Sequence, residues 1–366
     1  MTNRLLTSIA VAAMASMPLI AFSADGGISS EMMARLKAGY DRSASTRALR
    51  NAISANAIDK LATNPDAKNG FDTHFSHRVP SKGITDQQRS GRCWLFTGLN
   101  VLRSQMMAKN GLPELKLSQN YNFFFDQLEK ANLFLQGIID RAERPMDDKT
   151  VDWLFRNPLS DGGQYTGLSD NLMKYGVVPA EAMQETFTAN NTSKLNSLIS
   201  LKLREYGLEL RRMHGEGKSG KEIQARKEEM LGDVYRMLAL TLGEPPTEFV
   251  FTRRDKDGKA VSTKTYTPQS FYKEFAGNDL KNDYVMLMND PSREYYRLYE
   301  IDFDRHAYDG RNWTYVNLPV EDIKKMAIES IKDSTMMYFS CDVGKFLDRE
   351  RGVLDIDNFD YSALMG

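Results

Sequence analysis

Apolar residues recur every three to four positions through most of the first two-thirds of this chain, then at every second position in several later stretches. Met32, Met33 and Leu36, followed by Leu49, Ile53, Ile58 and Leu61, predict helix over residues 29–61. Residues 64–82 carry no period and read as an irregular, extended segment. From Arg92 onward, Leu95, Leu99, Leu102 and Met106 predict a helix over 92–108. Trp94, Phe96 and Val101 add apolar surface to its other faces, so this helix is expected to be buried nearly all round. A further helix is predicted over 119–139, where Phe123, Phe124 and Phe125 read as core packing rather than a ligand box. Leu168, Leu172 and Tyr175 mark another helix. Residues 191–242 are polar and strongly helical but broken at His214 to Gly220, which predicts a helical hairpin standing on the surface.

The period then changes. Glu248 to Thr252 and Ala260 to Tyr266 flank Asp257-Gly258, the pattern of a β-hairpin. Tyr284 to Met288, Tyr296 to Phe303, Trp313 to Asn317 and Met336 to Ser340 are further strand candidates. A helix-rich run followed by a strand-rich one predicts an α+β fold with a cleft between two halves. The expected organisation is an N-terminal helical and extended segment at 24–80, a helical half at 81–190, a helical hairpin insertion at 191–245 and a β-rich half at 246–366.

Composition narrows the class. The 366 residues are 41% hydrophobic and 27% charged, enough for a sizeable core. Net charge is −1 with no long run of lysine or arginine, which removes the electrostatic footprint of a nucleic-acid binder. Residues 1–23 have the three-part layout of a secretory signal peptide: Arg4, an apolar run from Leu5 to Ile20, then Ala21-Phe22-Ser23. The chain is therefore expected to be exported, periplasmic or secreted. Only Cys93 and Cys341 are present, so the fold does not depend on disulfides.

The candidate chemistry lies at Gln87-Gln88-Arg89-Ser90-Gly91-Arg92-Cys93-Trp94-Leu95-Phe96. Ser90-Gly91 can turn the chain into the helix, placing Cys93 in its first turn. There the macrodipole and unpaired N–H groups favour a thiolate, and the Arg92 charge is expected to act the same way. A thiolate so placed can attack a carbonyl, and the resulting oxyanion needs donors. The Cys93 N–H and the Gln87 amide are the natural pair. The alternative, a buried structural cysteine, is the commoner fate of a lone Cys. Asp161-Gly162-Gly163-Gln164 forms a loop whose glycines either make a tight turn or let backbone approach a ligand. No Cys/His cluster has metal-ligand spacing and no phosphate loop occurs, so no metal or organic cofactor is expected.

The segment Gln87 to Phe96 resembles the active-site segment of papain-like cysteine peptidases, in the form of the bleomycin hydrolase and aminopeptidase C branch. Leu117-Ser118-Gln119, Asp161 to Gln164, Lys174 to Pro179, Val316-Asn317-Leu318-Pro319 and Cys341-Asp342-Val343-Gly344-Lys345 agree with it in order. The resemblance implies a papain-like two-half fold with helical insertions. It implies Cys93 as nucleophile, Gln87 as oxyanion-hole donor, and Gly162, Gly163 and Trp94 at the substrate groove, acting on peptides as an aminopeptidase. It also implies a homo-oligomer, a hexamer in the family. A histidine in a His-Ala step and an asparagine in an Asn-Ser-Trp step are expected after Lys345. Neither is found: the four histidines are His74, His77, His214 and His306. His306 precedes Ala307 but sits in a polar turn, ahead of the second cysteine. The resemblance therefore implies a β-rich half that is incomplete at residue 366. The competing expectation is a catalytically inactive binding or interaction protein on a peptidase scaffold.

Overall fold

The computed structural model describes residues 26–67, 72 and 74–365. The expected export signal at 1–23 lies outside the described residues. No described helix is long and apolar enough to cross a membrane. The chain divides into two units: the described residues up to Asp72 together with those from Cys341 onward, and the residues from 74 to Ser340.

In the first unit, the helical period over 29–61 resolves into α1 (Ser30–Gly39), α2 (Ala44–Ala55) and α3 (Ile58–Ala62). The break between α1 and α2 follows from local polar side chains. Asp41 accepts from the Ser43 N–H at 2.8 Å, and Ser43 in turn caps α2 by accepting from Thr46 N at 3.2 Å. Such side chains offer the backbone an alternative to helix continuation.

The second unit opens with α4 (Cys93–Asn110), α5 (Gln119–Ile139), α6 (Lys149–Arg156) and α7 (Tyr165–Tyr175). α5 starts where Ser118 caps Tyr121 N at 3.1 Å, and it is the centre of the core: Phe123, Phe124, Leu135 and Ile138 are fully buried. Phe125 stacks on Tyr175 of α7 at 4.0 Å. α4 is buried on most faces, as its apolar residues predict.

α8 (Ser193–Gly215) and α9 (Gly220–Leu242) form the expected helical hairpin, with a Ser219–Glu222 capping box at the start of α9. It does not merely stand on the surface. Leu195, Ile199, Leu203, Tyr206 and Leu210, with Met230, Val234 and Leu238, belong to the same buried cluster as α5. The polar composition masked one apolar stripe per helix, and burying each such side chain contributes about 1.5–3 kcal/mol.

β1 (Phe249–Arg254) and β2 (Ala260–Tyr266) pair antiparallel, Phe249 opposite Tyr266, and α10 (Pro268–Phe275) follows. A three-stranded sheet then forms in the order β3 (Leu287–Met288), β5 (Trp313–Asn317), β4 (Arg297–Ile301). β5 runs antiparallel to β4 and parallel to β3. α11 (Val320–Lys332) comes next. Residues 336–340, expected as a strand, belong to no helix or sheet, so the β period there has no ladder to join.

The C-terminal part of the first unit holds β6 (Leu347–Asp348), β7 (Val353–Leu354) and α12 (Tyr361–Met365). It is tied to α3 and the residues after it by the Thr63–Phe359 bridge, Asn64 N donating to Asn358 O at 2.9 Å, and Tyr361 Oη donating to Asp59 at 2.9 Å. The protein is α+β.

Candidate active site

Cys93 is the first residue of α4, and its side chain is exposed on a helix that is otherwise mostly buried. The turn before it is closed by its own side chains. Gln87 Nε2 donates to Ser90 O at 2.5 Å, and Ser90 Oγ donates back to Gln87 O at 2.6 Å. Gln88 sits between them at φ 55°, a left-handed conformation that costs a non-glycine residue about 1–3 kcal/mol. Asp86 supports it by accepting from Gln88 N at 2.8 Å. The turn is anchored outward by Arg89 N donating to Asn190 O at 3.0 Å. The Gln87 amide keeps a second N–H. The Cys93 N–H has no hydrogen-bond partner among the described residues, as the start of an uncapped helix requires.

Arg92 does not face the thiol. Its guanidinium is buried between the rings of Phe96 and Phe123, 5.0 and 5.3 Å from their centroids. It donates to both Glu185 oxygens at 3.2 and 2.8 Å, and to Ser90 Oγ at 3.0 Å. The expectation that its charge supports Cys93 is therefore corrected: the guanidinium is buried and paired with the partly exposed Glu185 carboxylate.

The loop between α6 and α7 lies against the same turn. Asp161 Oδ2 accepts from Gly91 N at 2.7 Å and from the Thr192 hydroxyl, while Asp161 O accepts from Trp94 Nε1 at 2.8 Å. Trp94 is only 2% exposed. It therefore offers no face to a substrate, contrary to the sequence expectation; it carries the loop from beneath. Beside it, on α5, lies a cluster of buried charges. Lys130 Nζ pairs with Asp126 at 2.8 Å, and donates to Ser160 O at 3.0 Å and Gly162 O at 2.6 Å. The other Asp126 oxygen accepts from His306 Nδ1 at 2.5 Å. The His306 ring meets Trp94 edge-on, centroids 4.9 Å apart. Burial opposes the Asp126 carboxylate, but Lys130 and His306 outweigh it and hold its pKa low. Burial, reinforced by the Lys130 charge, pushes the His306 pKa down despite Asp126.

The two glycines differ. Gly162 is engaged on both sides, its N–H donating to Ser160 Oγ at 3.1 Å and its C=O accepting from Lys130. Gly163 has neither backbone group hydrogen-bonded among the described residues. A Cβ on Gly163 would lie 2.7 Å from His306 Nε2 and 2.8 Å from Trp94 Cδ2, closer than real contacts allow.

The other sequence candidates are dispersed. His77 is exposed beside Ser76, 3.0 Å from its hydroxyl, and His74 is exposed in the same extended stretch. His214 ends α8, 3.9 Å from Glu143. His306 is locked in the core by Asp126. Cys93 and Cys341 are both free thiols, and no group of His, Cys, Asp and Glu suited to a metal occurs among the described residues. Sequence reasoning missed Tyr338. Half-buried against Tyr165 at 5.6 Å, its pKa is pushed up to about 12 by burial and then by Cys93, within whose electrostatic reach it lies. It also missed Asp126 and Lys130, whose one signal is an i,i+4 charge pair inside an aromatic helix.

The model of the Peptidase C1-like family matches residues 27–366. Aminopeptidase C of Lactobacillus delbrueckii subsp. lactis is 38% identical over 307 residues, 83% of this chain and 68% of that protein. Bleomycin hydrolase of Homo sapiens is 37% identical over 300 residues, 80% of this chain and 66% of that protein. The crystal structure of PepW from Lactobacillus rhamnosis shares the fold at a TM-score of 0.86 and 34% identity, covering 93% of this chain and 77% of that one.

Proposed function

The chain belongs to the Peptidase C1-like family, and from that premise we propose that it is a cysteine aminopeptidase acting on peptides. The observation that carries this reading is the exposed Cys93 at the first position of α4, on a turn bonded to the loop that holds Gly163, with that glycine's backbone unengaged and one N–H of the Gln87 amide left free. The Cys93 sulfur attacks the scissile carbonyl carbon, forming a C–S bond while the π electrons pass to oxygen. The Cys93 N–H and the second Gln87 N–H receive that oxyanion, an interaction of the kind that is worth about 3–4 kcal/mol in the transition state. Collapse restores the C=O and breaks the C–N bond, the amine leaving with the proton that the Cys93 thiol gave up; water then cleaves the thioester, releasing the carboxylic acid and restoring the thiol. The peptide backbone pairs with Gly163, and Gly162 serves the loop. Trp94 is given no contact with substrate.

The proton carrier is not assigned to any of the four histidines. A second reading follows from that, favoured by the His306–Asp126 lock: a peptide-binding protein without turnover. A peptidyl thiol-reactive probe separates the two. Labelling of Cys93, lost in Cys93→Ala, together with hydrolysis of an aminoacyl substrate supports the peptidase. Labelling without hydrolysis supports the binder, and a chain labelled by iodoacetamide but not by the peptidyl probe overturns both. Export is proposed from the layout of residues 1–23, which precede the matched range 27–366. Protein recovered only inside the cell, with an N-terminal sequence beginning at Met1, would refute it. Self-assembly is proposed from the family resemblance, and a monomer by sedimentation would refute that.

A further inference from the structure

We infer that the buried Asp126–Lys130–His306 cluster is the positioning element for the peptide-pairing backbone of Gly163. It sets how firmly peptide is held while leaving the reactivity of the Cys93 thiol alone. The inference rests on the proposed peptide groove and deepens it.

A lysine ammonium has three N–H groups, and Lys130 spends all three: on Asp126 Oδ2, on Ser160 O and on Gly162 O. Two of them grip carbonyls on either side of Asp161, so the loop is held at two successive points by one charge. The Gly162 C=O belongs to the same peptide unit as the Gly163 N–H. In a trans peptide those two groups point in opposite directions, and the described residues contain no cis bond. Drawing the Gly162 oxygen inward to Lys130 therefore turns the Gly163 N–H outward. That N–H is the one left without a partner among the described residues.

The other two members keep the grip in place. Asp126 is fully buried and fixes Lys130 from one oxygen and His306 from the other. An ionised carboxylate only accepts, so the Nδ1 of His306 carries the proton. The imidazole then fills the space behind Gly163 and Gly167, where an added Cβ would overlap the ring. Its edge rests on Trp94, whose indole N–H holds Asp161 O. Lys130 and Trp94 end on backbone of the 160–162 stretch and His306 packs behind Gly163 and Gly167; the ion pairs and hydrogen bonds that tie the cluster together do not include Cys93. A buried ion cluster is weak evidence for stability. Directing a backbone N–H is a task that apolar packing, being non-directional, cannot perform.

The test uses the full chain with Lys130→Met, and the double variant Asp126→Asn/Lys130→Met, which leaves no unpaired carboxylate should the single variant fail to fold. Two readouts are taken: the rates of Cys93 labelling by a peptidyl thiol-reactive probe and by iodoacetamide, and amide hydrogen exchange over residues 160–164. We expect the peptidyl rate to fall about tenfold, the equivalent of one backbone hydrogen bond lost. The iodoacetamide rate should stay as in the parent chain and exchange at 160–164 should quicken. Both labelling rates unchanged, or both falling in proportion, with exchange at 160–164 unaltered, overturns the inference. Should the parent chain itself ignore the peptidyl probe, the peptide groove fails as a reading. Exchange at 160–164 then decides alone: quicker exchange upholds the positioning role and unaltered exchange overturns it.

Discussion

Replacing Glu185 by glutamine tests how the turn ahead of the nucleophile is held. The Arg92 side chain is 0% exposed and Glu185 29% exposed, so the two ends of this ion pair see different solvent. Glu185→Gln strands a guanidinium in the core, and an uncompensated buried charge costs about 3–5 kcal/mol. The Phe96 and Phe123 rings, the Ser90 hydroxyl and the new amide oxygen recover part of that. Water can also enter from the partly open Glu185 side, which leaves a net loss of about 2–3 kcal/mol. The reverse change, Arg92→Met, strands a carboxylate that can rehydrate, while the flexible thioether fills the gap between the two rings. Its cost should be about 1–2 kcal/mol. With both changes no charge is left alone, so the double variant should lie within about 0.5 kcal/mol of Arg92→Met, a coupling of about 2–3 kcal/mol. Urea unfolding of the three variants followed by circular dichroism gives these differences by linear extrapolation. The reasoning is refuted if Arg92→Met costs as much as Glu185→Gln, because the cost is assigned to the end that water cannot reach.

Two further outcomes concern the loop and its support. Asp126 and His306 both have lowered pKa values. The unfolded chain therefore takes up protons that the folded one refuses: on His306 as pH falls below 6.5, and on Asp126 below 3.8. Stability should thus be lost on acidification; the melting temperature should drop more between pH 7 and pH 5 in the parent chain than in His306→Gln, and equal drops would contradict this. The two glycines should also part company on mutation. Gly163→Ala drives a Cβ into His306 and Trp94, at about 1–3 kcal/mol or more. Gly162→Ala meets nothing nearer than Ser160 Oγ at 3.4 Å and should be neutral or slightly stabilising in thermal melts; similar losses at both positions would refute the assignment.

Much of this architecture is legible in the chain. The helix expected over 119–139 is found as Gln119–Ile139: a serine cap fixes its start, and its apolar positions run on to Ile138 and Ile139. Cys93 falls at the first position of its helix because Ser90-Gly91 cannot continue one backwards. The Asp257-Gly258 hairpin forms where turn chemistry and alternation agree. The failures share a cause. Trp94 is expected at the substrate, and Arg92 toward the thiol, because sequence adjacency suggests spatial adjacency. On a helix, neighbours differ by about 100° in direction: Cys93 faces out while Arg92 and Trp94 face in. Residues 336–340 alternate like a strand but have no neighbour to pair with among the described residues, which no local pattern reports. The roles of Asp126 and Lys130 depend on carbonyls some 30 residues away in the chain, and nothing local marks a backbone acceptor.

Ionic groups are a poor source of stability in a core, so three sets of them around the first turn of α4 require another reason. Each set ends on the backbone of a segment beside the thiol, directly or through one hydroxyl. Arg92 reaches Gln87 O through Ser90 Oγ, Asp161 takes the Gly91 N–H, and Lys130 takes the Ser160 and Gly162 carbonyls. Apolar packing could bury the same area but would leave each peptide unit free to rotate about its axis, since contact between apolar surfaces has no preferred direction. A charged donor or acceptor is direction-selective. Placing such groups on the inner side of both segments orients the outer side, where little side-chain machinery is available. The outward groups that result are the Cys93 sulfur and N–H, the spare N–H of Gln87 and the Gly163 peptide. The polarity buried beneath the site and the backbone groups presented above it are thus two faces of the same constraint.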